Sequence, residues 1–82
     1  MGEYANVSRR KIKRFLNWLK NHKQVEIEEG SKHTRVTCIY NGNSTLAPTR
    51  HSEVDPNLVK ALVRWLIANE VCTKEECDRE LI

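Results

Sequence analysis

The sequence predicts an α+β domain of order α-β-β-β-α, closed by a short additional helix at the C-terminal end. Three observations lead there. Apolar residues recur at helical spacing in two separate stretches, they alternate at period two between those stretches, and turn or capping residues punctuate every change of period. A three-stranded antiparallel sheet with both longer helices on one face is the simplest way to bury these stripes. The other face of that sheet is left to solvent.

Ser8 is suited to cap a first helix whose apolar positions are Ile12, Phe15, Leu16 and Leu19, an i, i+3, i+4, i+7 stripe. Arg9, Arg10, Lys13, Asn17 and Lys20 fall on its opposite face, and the helix should end near Asn21 or His22. Val25 and Ile27 then alternate with Gln24, Glu26 and Glu28, the pattern of a short half-buried strand. Gly30 and Ser31 form a turn into a β-branched stretch from Lys32 to Tyr40. Its alternation puts Thr34, Val36, Cys38 and Tyr40 on the core side, and His33, Arg35, Thr37 and Ile39 on the other. Asn41-Gly42-Asn43 signals a hairpin, and a third strand follows through Thr45, Leu46 and Ala47 until Pro48 stops it.

Asp55-Pro56 reads as an N-cap followed by proline at the first helical position. Leu58, Ala61, Leu62, Trp65 and Leu66 make the apolar stripe of that second helix, widened by Val59 and Val63. Thr73-Lys74-Glu75-Glu76 is a capping box, so the final helix should cover Lys74 to Glu80. Trp18, Trp65 and Tyr40 are read as packing residues.

At 82 residues there is room for one domain, in which residues 1–7 are expected to be disordered, 8–69 to form the core and 70–82 to extend it. A chain this short buries only about 60 % of its unfolded surface. That argues against a deep enclosed pocket and for a surface site acting on a polymer. No apolar run approaches the roughly 18 residues a membrane span needs, and no signal-peptide core follows Met1, so a soluble cytoplasmic protein is expected, with no membrane partner. The three cysteines are an odd number, and Cys72 and Cys77 lack CxxC spacing or neighbouring histidines. Reduced thiols are expected, with no metal and no cofactor.

Charge is spread unevenly behind the net +3. From Tyr4 to Gln24 there are seven Lys or Arg and no acid, whereas Asn69 to Ile82 holds five acids against two bases. The front half suits a polyanionic partner, although a charge run is also what any solvated helix face looks like. The acidic tail reads most simply as a packing helix.

Chemistry is most readily placed in Gly30-Ser31-Lys32-His33-Thr34-Arg35. Cleaving RNA by attack of its 2′-hydroxyl requires one group to remove a proton, another to donate one, and a stabiliser for the crowded phosphate. Histidine suits either proton role near neutrality. Lys32, Arg35 and the backbone N–H groups around Gly30 and Ser31 would hold the phosphate. Arg50 and His51 form a second basic pair that would contact phosphate or supply the second proton-transfer group. Each of these residues also reads as ordinary solvated surface.

Gly30-Ser31-Lys32-His33 in a second strand, then Pro48-Thr49-Arg50-His51 before a helix, with Phe15-Leu16-Asn17-Trp18-Leu19 in the first helix, resembles the HicA family of toxins. The resemblance covers roughly residues 12–67. It implies a double-stranded-RNA-binding-domain-like fold, metal-independent cleavage of mRNA, a catalytic histidine at His33 and neutralisation by a HicB-like antitoxin. Thr49 is an insertion relative to the common pattern, Asp55-Pro56-Asn57 replaces a frequent Gly-Thr, and the acidic tail runs past the usual end. On this reading His33 is catalytic, and Ser31, Lys32, Arg35, Arg50, His51, Arg10, Lys13 and Arg14 contact RNA. The alternative is a non-catalytic RNA-binding module of the same fold, reading A-form shape through phosphates and 2′-hydroxyls. A pure protein-interaction domain would leave the acid-free basic run without a purpose.

Overall fold

The computed structural model describes residues 4–5, 7–30, 34–47 and 54–81. Its elements run α1 (Arg9–Leu19), β1 (Val25–Glu29), β2 (Thr34–Cys38), β3 (Ser44–Ala47), α2 (Pro56–Ala68) and α3 (Lys74–Leu81). The strands form one antiparallel sheet in the order β1-β2-β3, with Ile27 opposite Val36 and Val36 opposite Thr45. Period two does the sorting. Val25, Thr34, Val36, Cys38 and Ala47 are buried beneath the helices, while Glu26, Glu28, Arg35, Ser44 and Leu46 are exposed.

Each helix starts where its cap residues dictate. The Ser8 hydroxyl accepts from the Lys11 amide at 3.2 Å, and the Asp55 carboxylate accepts from the Asn57 amide at 2.9 Å with Pro56 following. At α3 the box is reciprocal: the Thr73 amide donates to Glu76 Oε1 at 3.0 Å, and the Glu76 amide donates to Thr73 Oγ1 at 3.2 Å. Helix α2 ends with Glu70 in the left-handed region (φ 57°), the Glu70 amide reaching the Ile67 carbonyl and the Val71 amide reaching that of Leu66. That bonding is a Schellman motif, and both Val71 and Leu66 are buried, as its hydrophobic contact requires.

The core joins Ile12, Phe15 and Leu19 of α1, Val36 of the sheet, Val59, Leu62 and Leu66 of α2, and Cys77 and Leu81 of α3. Helix α1 packs on β1 and on α3, and α2 packs on β3 and on α3. The acidic tail is therefore an integral packing helix wedged behind α1. Its charges also suit its dipole, with Glu75 and Glu76 in the first turn and Arg79 in the last.

Three details differ from expectation. Strand β2 ends at Cys38, two residues early, because residues 39–43 form a five-residue loop in which Gly42 (φ 74°) donates to the Cys38 carbonyl. Tyr40 is consequently 78 % exposed rather than part of the core. The buried face of α2 is rotated: Val59, Leu62, Val63 and Leu66 line it, whereas Leu58 and Ala61 are exposed. Tyr4 and Val7 belong to a stretch expected to be disordered, yet both are buried, and the Tyr4 hydroxyl donates to the Asp78 carboxylate at 2.8 Å.

The hairpin is tied to α2 by asparagines. Asn41 and Asn43 both donate side-chain N–H groups to Asn69 Oδ1, at 2.9 and 3.4 Å, while Asn69 donates its own to the Trp65 carbonyl.

Candidate functional site

The described residues that the sequence singles out lie on two surfaces. The first is the solvent face of α1. Its amphipathic stripe turns Ile12, Phe15, Leu16 and Leu19 inward, so Arg9, Arg10, Lys13, Arg14, Asn17 and Lys20 are all exposed on the remaining arc. Lys20 Nζ approaches Glu29 at 3.6 Å, and no acid lies within the helix itself. Arg9, Arg10 and Lys11 crowd the first turn, at the positive end of the helix dipole. Cations there repel the dipole and one another, an unfavourable arrangement that a bound anion relieves.

The second surface is the open face of the sheet. Register sets Glu28 directly opposite Arg35 and Arg35 directly opposite Leu46. Directly opposed residues have their Cβ atoms about 5 Å apart, so a carboxylate and a guanidinium are neighbours there. Glu28, Gly30, Arg35 and Leu46 line a shallow cleft of about 370 Å³ at the end of β1, where the chain enters residues 31–33. Among the described residues this face carries two glutamates, Glu26 and Glu28, beside the single Arg35. A carboxylate beside a guanidinium can remove a proton from a hydroxyl while the cation neutralises a phosphate oxygen.

Of the predicted site residues, Arg10, Lys13 and Arg14 share the α1 face, and Arg35 stands apart on the sheet. His33, Ser31, Lys32, Arg50 and His51 lie outside the described residues. Sequence reasoning missed Glu28, whose pairing with Arg35 depends on the β1–β2 register and so on the exact turn between them. It also missed a groove of about 480 Å³ where α1 meets the hairpin, lined by Trp18, Asn21, His22, Lys23, Gln24 and Tyr40. There Trp18 packs on Phe15 with ring centroids 5.5 Å apart and meets His22 edge-on at 4.4 Å, and His22 Nδ1 lies 3.2 Å from the Trp18 carbonyl. Lys23 and the exposed Tyr40 both line this groove, so an aromatic base can stack there beside a cation. The asparagine-glycine turn was the available signal, since a longer loop releases Tyr40 from the strand.

Among the described residues no group of three His, Cys, Asp or Glu side chains is placed to hold a metal ion, and no helix is long and apolar enough to cross a membrane. No protein-family model, curated protein or solved structure matches the chain.

Proposed function

We propose that this chain binds RNA through the solvent face of α1 and cleaves it as a metal-independent endoribonuclease, acting as the toxin of a toxin–antitoxin pair. The observation that carries the binding half is the acid-free arc of α1, with cations gathered at the end of the helix where a cation is least stable. Phosphates satisfy that arc, and counterion release makes such binding strongly dependent on salt. The cleavage half rests on the HicA resemblance. His33 is the proton-transfer residue on this reading, with Ser31, Lys32 and Arg35 beside it and Arg50 and His51 on the following segment. The double-stranded-RNA-binding-domain-like identity of the fold, mRNA as the substrate, the cytoplasm as the site of action and a HicB-like antitoxin as partner belong to the same proposal.

Wild type and His33→Ala are to be expressed side by side, with growth and RNA integrity as readouts. Wild type is expected to arrest growth and degrade RNA, and His33→Ala to do neither while folding normally. Equal toxicity of the two, or a folded wild type that leaves RNA intact, overturns the enzymatic reading. The second reading, a non-catalytic RNA-binding module, is favoured by the two glutamates that stand against one arginine among the described residues of the open sheet face. It predicts steeply salt-dependent RNA affinity with no cleavage and no effect of His33→Ala on binding.

A further inference from the structure

Cys72 and Cys77 flank the turn that joins α2 to α3, one just before the Thr73 cap and the other on the core side of the helix. Their sulfurs lie 3.2 Å apart in a thiol–thiol contact, and both side chains are buried, Cys77 completely. A disulfide has its sulfurs about 2.05 Å apart, so closing the gap by little more than about 1 Å would bond them. The capping box fixes the chain between the two cysteines, so this approach follows from how α3 begins. Cys38, the third thiol, is buried under the helices as part of the sheet.

The two thiols are not equivalent. The hydrogen bond from the Cys72 thiol holds the Cys77 thiol below its ordinary range, against burial and the charges of Asp78 and Glu76, while the same bond and burial push Cys72 well above its own. Cys77 is thus the better nucleophile and Cys72 the proton-bearing partner placed to resolve it. Access comes from local opening. Helix α3 has only eight residues and packs on α1 and α2 rather than on the sheet, so a local opening that exposes the sulfurs need not disturb the strands.

We propose that Cys72 and Cys77 form a redox-active pair that a hydroperoxide oxidises to an intramolecular disulfide, closing a reversible clamp between the end of α2 and α3. The Cys77 thiolate attacks a peroxide oxygen and the O–O bond breaks, giving a sulfenic acid and a hydroxide that takes a proton to become water. The Cys72 sulfur then attacks the Cys77 sulfur, the S–O bond breaks, and the departing hydroxide leaves as water with the Cys72 proton. Two electrons pass from the two thiols to the peroxide, and with hydrogen peroxide two waters result. A thiol reductant reverses the modification by exchange.

The test treats native wild-type protein with hydrogen peroxide, then alkylates under denaturing conditions and digests with trypsin. Trypsin cuts after Arg64, Lys74 and Arg79, so a Cys72–Cys77 link joins two otherwise separate peptides. The expected result is loss of two alkylatable thiols, recovery of the linked peptides, a higher Tm than the reduced protein, and reversal of all three by dithiothreitol. Cys72→Ser is expected to stop at sulfenic and higher acids on Cys77. The proposal is overturned if native protein keeps both thiols alkylatable, or if Cys77 oxidises in wild type without linking to Cys72.

Discussion

Single residues in this molecule often carry a local structure that the chain pattern alone does not announce. Glu70 is one: it holds a left-handed conformation that costs a side-chain-bearing residue about 1 kcal/mol, because the Schellman motif at the end of α2 needs it. Glu70→Gly is therefore expected to raise stability by about 1 kcal/mol in urea denaturation, with the m-value unchanged. Asp78 is another. Lys74 Nζ at 2.7 Å, and then the Tyr4 hydroxyl, hold its carboxyl below the usual range, while hydrogen bonds from Thr73 do the same for Glu76. Both groups are depressed in the folded state. Their contribution is present above the unfolded-state pKa and disappears as pH falls through the folded one. Thermal scans should show Tm dropping as the pH is taken below about 4, and Asp78→Asn should blunt that drop while lowering Tm at neutral pH. A Tm curve of unchanged shape in Asp78→Asn would show that the contact with Tyr4 and Lys74 contributes nothing.

Elements were largely legible because their boundaries are written in cap and turn residues. Ser8, Asp55-Pro56 and the Thr73–Glu76 box each start a helix where the sequence places it, β1 follows its alternation, and β3 runs through Thr45, Leu46 and Ala47. Errors arose where two patterns overlap. Nine apolar residues of α2 wrap so far around the helix that periodicity alone does not choose between the Leu58 edge and the Val63 edge, and packing on β3 and α3 decides it. Likewise, alternation carries β2 on through Tyr40, but the loop closed by the Gly42 amide ends the strand first. For α1 the basic arc is the element-level claim. Neutralising Arg10, Lys13 and Arg14 together to Gln should weaken RNA binding in filter-binding or fluorescence titrations. It should also reduce the slope of log affinity against log salt by roughly 2 to 3. An unchanged slope would place RNA elsewhere.

Among the described residues α1 and α2 cover one sheet face, α3 packs on those two helices rather than on the sheet, and the other sheet face is open. The sequence implies that the helices cover one face of the sheet, but not that Arg35 sits on the open face apart from the α1 cations, since register and side are three-dimensional facts. Nor does it disclose that Glu28 shares the cleft with Arg35. If that cleft is where RNA reacts, Glu28→Gln should slow cleavage at least tenfold in single-turnover assays while leaving affinity near wild type, as expected of a group acting in the transition state. Stability is likewise a property of the assembled layers. Leu81 is fully buried at the end of α3, and Leu81→Ala should cost about 2–5 kcal/mol, a large share of what so small a domain possesses. Equilibrium denaturation that finds less than about 1 kcal/mol would mean that α3 is a loosely attached appendage.

The asparagine clasp between the hairpin and α2 has a consequence for strand alignment. Slipping β3 past β2 by a single position would turn Ala47 outward and Leu46 inward, and a five-residue loop has enough slack to allow it. Because Asn41 and Asn43 both find Asn69 in the native alignment, such a shifted pairing would strand three amide groups at once. The helix end thus serves as a ruler for the sheet, and replacing Asn69 by Ala should reveal a second hairpin alignment as doubled amide resonances for residues 44–47.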